Sequence, residues 1–270
     1  MIPIDIIHKV YNATCAVGVI TAPSLDDLLQ THKTGGFEII GSGFLCRSTT
    51  VITNRHVVEA MNAYLAQHSL SDNRMAAQFN FFIGDGMEQC YAPITRLCVV
   101  KQPVEADIAL FEVERLDEDP EDFKEAVQPL TIIENVKSLE LGQEIGIAGF
   151  PYGQVLHADP HADAAIPIAD RNVVRMGPIL QQGIISGFRP WQRTYGIREI
   201  LLDARIAGGM SGSPVFWQQS GTVVGVVYGT HETVVGHAVP IDSIRVTAWC
   251  GMIDSGKTDL VEAQIKYIEE

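Results

Sequence analysis

Gly209-Met210-Ser211-Gly212-Ser213-Pro214 sets a serine between two glycines and runs into an apolar stretch, Pro214-Val215-Phe216-Trp217. Glycine reaches backbone angles that side chains forbid, so the spacing describes a tight turn feeding a strand. In such a turn Ser211 projects outward while its own N–H faces inward. Together with the N–H of Gly209 it makes two donors aimed at one point, the form of an oxyanion hole. A plain Gly/Ser-rich surface turn has the same composition, so the turn needs partners before it implies chemistry.

A serine hydroxyl is a poor nucleophile unless a base accepts its proton. Val51-Ile52-Thr53-Asn54-Arg55-His56 supplies a histidine at the end of an apolar strand, followed by a helical pattern over His56–His68. The base needs an acceptor that fixes its tautomer and stabilises the imidazolium. Ala106-Asp107-Ile108-Ala109-Leu110-Phe111 places a carboxylate at the edge of an apolar strand, where an unpaired charge is costly. Taken singly, His56 also reads as a satisfied core histidine and Asp107 as a strand-end turn residue. The three occur in the order His, Asp, Ser. The gaps are long enough to put His56 and Asp107 on one folding unit, Ser211 on another, and a substrate cleft between them.

The rest of the chain reads as short apolar runs punctuated by Gly, Pro, Asn and Asp, the pattern of an all-β protein. Strands are expected at Ala16–Thr21, Phe37–Cys46, Phe79–Ile83, Leu97–Val100 and Ile108–Val113 in the first half. The second half offers Glu144–Ala148, Gly183–Gly187, Ile200–Asp203, Pro214–Trp217, Val223–Tyr228 and His237–Pro240. Two β-barrels of about six strands each, joined by the acidic stretch Glu114–Val127 as a solvated connector, account for the length. The expected division is residues 1–120, carrying His56 and Asp107, then 121–250, carrying Ser211, then a helical tail over 251–270. The tail's apolar residues between Leu260 and Ile268 suit packing against a barrel.

The net charge of −14, with Lys and Arg unclustered, argues against a nucleic-acid partner. No segment approaches the roughly 18 apolar residues of a membrane span, so no membrane partner is expected. The five cysteines are scattered and never form a Cys-x-x-Cys pair. Together with an amino terminus that lacks a leader pattern, they are read as free thiols in a cytoplasmic protein.

Thr53-Asn54-Arg55-His56-Val57-Val58, Ala106-Asp107-Ile108-Ala109-Leu110 and Gly209-Met210-Ser211-Gly212-Ser213-Pro214-Val215-Phe216 resemble the three triad motifs of trypsin-like peptidases. Asp203–Ser211, Gly236–Pro240, Ile145–Gly153 and Gln182–Gly187 are similar to the bacterial Deg/HtrA pattern. Thr-Asn-Arg-His and Ser-Gly-Ser-Pro-Val-Phe are closer to the staphylococcal glutamyl endopeptidase and exfoliative toxin branch. The resemblance spans roughly residues 12–248.

The resemblance implies the chymotrypsin fold of two six-stranded antiparallel barrels. It implies serine endopeptidase chemistry on protein or peptide substrates, with no cofactor and no metal. Ser211 is then the nucleophile, His56 the general base and later acid, and Asp107 the orienting carboxylate. The N–H groups of Gly209 and Ser211 form the oxyanion hole. Aligned with the family, Ile206, Val227, Tyr228 and Gly236 line the S1 pocket, with Arg205 and His237 at its rim. Such a lining favours a small or medium aliphatic P1 residue; an inward Arg205 would favour an acidic one. Met210 stands where digestive trypsins carry an aspartate that pairs with a newly cut amino terminus, so that activation switch is missing. With only about 20 residues following the second barrel, a counterpart of the PDZ module of Deg-type enzymes is not expected either, and no activating partner is assigned. A catalytically silent or partner-gated binding module is the competing reading.

Two further motifs are set aside. His157, His161 and the aspartates of Leu156–Asp170 could hold a metal, but Pro160 breaks the helix that would bring the histidines together, and a solvated surface loop fits better. Gly251-Met252-Ile253-Asp254-Ser255-Gly256-Lys257-Thr258 has the spacing of a phosphate-binding loop. Such a loop needs a parallel α/β sheet around it, which this chain does not encode.

Overall fold

The computed structural model describes residues 2–21, 37–83, 88–91, 95–101, 107–114, 125–133, 138–152, 177–190, 198–231 and 235–241. These residues form two antiparallel β-sheets and two α-helices. The chain enters through α1 (Ile4–Ala13), an element the sequence reading did not anticipate. Pro3 precedes it, where a missing N–H costs nothing, and Ile6, Val10 and Ala13 form its buried stripe. The Thr14 hydroxyl closes the helix by donating to the Val10 carbonyl at 2.7 Å.

The first sheet contains β1 (Thr14–Ile20), β2 (Phe37–Arg47), β3 (Thr50–Thr53), β4 (Met75–Ile83), β5 (Glu88–Tyr91), β6 (Thr95–Lys101) and β7 (Ala109–Glu114). Its order is β1-β2-β3-β7-β6-β4-β5, and β1 also pairs with β4. The sheet has seven strands where six were expected. The addition is β5, whose sequence Glu-Gln-Cys-Tyr has no apolar run and which pairs with β4 alone. Helix α2 (Arg55–Gln67) leaves β3 after one residue, and Val57, Val58, Met61 and Leu65 are its buried face.

The second sheet is a closed six-stranded barrel. Its strands are β8 (Glu144–Gly149), β9 (Ile179–Pro190), β10 (Arg198–Asp203), β11 (Pro214–Trp217), β12 (Val223–His231) and β13 (Val235–Pro240), in the order β10-β13-β12-β11-β8-β9.

The segment 125–133 ties the two sheets together. Leu130 N–H donates to the Leu45 carbonyl of β2 at 2.9 Å, and Ile133 N–H to the Val223 carbonyl of β12 at 2.9 Å. Val127 and Leu130 are buried, so the end of the acidic connector is packed rather than solvated. One continuous apolar core takes in Val17, Phe44, Ile52 and Phe111 from the first sheet and Ile145, Val215, Phe216 and Val226 from the barrel.

No helix of the described residues is long and apolar enough to cross a membrane. The division points at 120 and 250, the Leu156–Asp170 loop, the Gly251–Thr258 motif and the carboxy-terminal tail lie outside the described residues.

Candidate active site

Strand register brings the first two site residues together. β3 pairs with β7 so that Thr53 lies opposite Ala109, and the chain continues into His56 on one side and arrives from Asp107 on the other. His56 Nδ1 lies 2.5 Å from Asp107 Oδ2, and the His56 backbone N–H donates to Oδ1 at 3.0 Å. A carboxylate only accepts, so Nδ1 carries the ring proton and Nε2 is left with its lone pair. Asn54 Nδ2 donates to the Asp107 carbonyl at 2.6 Å and fixes the backbone beneath the pair. The Asp107 side chain is 15% exposed and that of His56 41%, so the orienting group is shielded while the ring reaches the surface.

The turn before β11 brings in Ser211. A Cβ placed on Gly41 would lie 2.9 Å from the Val57 side chain and 3.1 Å from the Ser211 carbonyl oxygen. The residue after His56 and the backbone of Ser211 thus flank the same glycine. The Ser211 hydroxyl faces the Tyr228 carbonyl at 3.5 Å, the outer limit of a hydrogen bond.

The loop around Ser211 has a consistent backbone pattern. Every carbonyl from Ala207 to Ser211 accepts a hydrogen bond. Ala207 accepts from Met210 N–H (3.1 Å), Gly208 from Tyr152 N–H (2.6 Å) and Gly209 from the Ser42 hydroxyl (2.8 Å). Met210 accepts from Ser213 N–H (3.0 Å) and Ser211 from Ser42 N–H (2.8 Å). The N–H groups of Gly209 and Ser211 donate to no group among the described residues. The carbonyls of the loop are thus engaged elsewhere, while the amides on either side of Met210 remain available as donors.

Gly209 and Gly212 take φ of +87° and +92°, backbone angles that side chains disfavour, as expected of glycines in this turn. At Gly212 a side chain is excluded as well, because a Cβ would lie 1.8 Å from the Ser42 carbonyl oxygen. Met210 is fully buried and its sulfur receives Gln181 Nε2 at 3.7 Å, so the turn is anchored by an apolar side chain.

Of the residues aligned with an S1 pocket, Ile206 packs over Gly236, where a Cβ would come within 2.5 Å of Ile206 Cγ1. Val227 is wholly buried and Tyr228 half-buried. Arg205 is exposed. His237, expected at the rim, is buried, with Nδ1 against the Glu199 carboxylate, because β10 and β13 pair here and carry it inside. Tyr228 O–H donates to the same Glu199 oxygen. Burial, followed by the bond to Glu199 and its charge, pushes the Tyr228 phenol well above its ordinary range.

Ser42, Tyr152 and Glu199 were not anticipated as site residues. The Gly41-Ser42-Gly43 spacing and the Gly149-Phe150-Pro151-Tyr152-Gly153 stretch were the signals available. Both act through backbone groups distant in sequence.

Comparison with known proteins bears on the whole arrangement. No curated protein matches the chain in sequence. Among solved structures it is similar to Deg5, with 20% identity over 89% of each chain and a TM-score of 0.54. It is similar to the HtrA-type protease AlgW with decapeptide, with 15% identity over 94% of this chain and 68% of that one and a TM-score of 0.57. It is also similar to the active form of the Rv3671c protease from M. tuberculosis, with 14% identity over 88% and 80% of the two chains and a TM-score of 0.52. At these identities the likeness is one of fold. The model of the trypsin-like peptidase domain matches residues 41–226, most of the chain and the whole span from His56 to Ser211. The chain therefore belongs to the trypsin-like serine peptidase family.

Proposed function

We propose that the protein is a serine endopeptidase that cleaves protein or peptide chains through an acyl-enzyme, with Ser211 as nucleophile, His56 as base and then acid, and Asp107 as the orienting carboxylate. The observation that carries the reading is the pairing of His56 with both oxygens of Asp107, together with a serine loop in which the N–H groups of Gly209 and Ser211 donate to no group among the described residues. Ser211 Oγ adds to the scissile carbonyl carbon while its proton passes to His56 Nε2. The carbonyl π electrons move onto oxygen, and that oxyanion is received by the N–H groups of Gly209 and Ser211. Collapse expels the amine, which takes the proton from His56, and leaves an acyl ester on Ser211. A water deprotonated by His56 then releases the acid. The Ser211 hydroxyl must rotate from the Tyr228 carbonyl towards His56 to start, a movement consistent with the loose hydrogen bonds of substrate-free sites.

Of the aligned pocket residues Ile206 and Tyr228 are partly exposed while Val227 and Gly236 are buried. A lining of Ile206 and Tyr228 over that buried floor favours a small or medium aliphatic P1 residue, whose burial contributes about 1.5–3 kcal/mol. Exposed Arg205 offers no inward charge for an acidic P1. A silent or gated module fits less well. Such a module would turn a carbonyl into the oxyanion site, and here the five carbonyls from 207 to 211 are all engaged elsewhere.

Fluorophosphonate labelling of the purified protein, with peptide-library cleavage alongside, tests the reading. Labelling at Ser211 is expected, and Ser211→Ala and His56→Ala should both abolish it with the fold intact. An unlabelled wild-type protein, or a cleavage preference for Lys or Arg, would contradict the reading or its pocket respectively.

A further inference from the structure

Ser42 lies on β2 in the first sheet, yet two of its hydrogen bonds reach the nucleophile loop. Its N–H donates to the Ser211 carbonyl at 2.8 Å and its hydroxyl to the Gly209 carbonyl at 2.8 Å. The same hydroxyl accepts from Phe150 N–H at 2.9 Å, and its carbonyl accepts from the Thr53 hydroxyl at 2.7 Å. The residue is completely buried, so each of these groups depends on its protein partner.

The geometry points to Ser42 as a positioning residue that sets the oxyanion hole from the opposite sheet. Holding the carbonyls of Gly209 and Ser211 fixes two of the peptide planes that border the hole. Tyr152 N–H fixes the Gly208–Gly209 plane and Ser213 N–H the Met210–Ser211 plane. Only the Gly209–Met210 plane is held by a side chain, and that side chain is Ser42. Phe150 N–H aims the hydroxyl: with one lone pair taken by this donor, the Ser42 proton is directed at the Gly209 carbonyl. Without the hydroxyl, that carbonyl has no partner and the peptide linking the two donor planes keeps only the bond from Met210 N–H to Ala207. Its tilt then shifts the Gly209 and Ser211 N–H groups on either side relative to the developing oxyanion. Misplacement of a donor by about 1 Å costs about a hundredfold in rate.

The inference rests on the peptidase mechanism above, and its test separates the two. Ser42→Ala and Ser42→Cys are compared with the wild type in cleavage of the best substrate from the peptide library. Binding is compared for a peptide aldehyde of that sequence and for the corresponding alcohol. The aldehyde adds Ser211 Oγ to its carbonyl and places an oxyanion in the hole; the alcohol fills the same subsites without one. For Ser42→Ala, kcat should fall roughly 10–100-fold with KM within about twofold. Aldehyde affinity should fall in parallel with kcat, and alcohol affinity should hold. Ser42→Cys, which keeps a weak donor, should be intermediate, and it carries the test if the alanine variant does not fold.

Wild-type kcat and an unchanged aldehyde-to-alcohol ratio in the variants would overturn the inference. So would equal weakening of both ligands, the mark of a merely structural role. Failure of the peptidase reading shows separately, as a wild-type protein that neither reacts with fluorophosphonate nor prefers aldehyde to alcohol, and it would overturn both.

Discussion

Asp107 gives both carboxylate oxygens to one residue, Oδ1 to the backbone N–H of His56 and Oδ2 to its ring. An asparagine of the same shape could keep the first bond, but its NH2 would face Nδ1 and force the imidazole proton onto Nε2. The ring could then no longer accept the Ser211 proton. Asp107→Asn is expected to lower kcat about ten-thousand-fold with little change in melting temperature. Retention of a tenth of the activity would rule out the orienting role. The candidate residues His56, Asp107 and Ser211 stand out in the sequence because each sits in a short motif whose neighbours announce a strand end or a glycine turn. Ser42 and Tyr152 do not, because their roles are hydrogen bonds to backbone groups across long sequence separations; 167 residues separate Ser42 from Gly209. Tyr152 even adopts φ of +58°, a conformation its side chain disfavours and its sequence does not advertise.

At the scale of elements, β10, β12 and β13 meet in a buried polar group that apolar patterning does not reveal. Glu199, Tyr228 and His237 converge there although each belongs to a run read as strand. Strands with apolar runs were found to within a few residues, and the helix expected over His56–His68 is α2 at Arg55–Gln67. α1 escaped notice because its stripe is short, and β5 because an edge strand needs no apolar face. The Tyr228 phenol, raised by burial and by Glu199, gives this group a pH signature. Above about pH 10 an unfolded chain releases the phenol proton while the folded one keeps it. The folded state then binds more protons, and stability falls as pH rises through that range. Tyr228→Phe removes this loss along with a hydrogen bond contributing about 1 kcal/mol. The difference in unfolding free energy between wild type and variant should therefore be present at pH 8 and narrow above pH 10 in urea titrations. A constant difference would show that the phenol is not held neutral.

For the whole molecule, the sequence suggested two barrels joined by a solvated connector, and the structure couples them more tightly than that. The core is continuous across both sheets, segment 125–133 bonds to each, and Ser42 bonds from one sheet to the nucleophile loop entering the other. None of these links is a local pattern, so composition and periodicity could not report them. They imply that neither sheet opens while the other stays folded. Cys15, the second residue of β1, provides a probe: it is wholly buried, and burial pushes its thiol far above the ordinary range, so in the native state it should resist alkylation. Ser211 provides a second probe, because on the proposed mechanism its reaction with fluorophosphonate needs His56 from one sheet and its own loop from the other. In a urea series, alkylation of Cys15, read by mass on its peptide, and loss of Ser211 labelling should follow one transition with a common midpoint. Loss of Ser211 reactivity at urea concentrations where Cys15 remains protected would instead mean that the barrel opens on its own. The coupling through Ser42 and the 125–133 strap would then be too weak to join the two sheets into one cooperative unit.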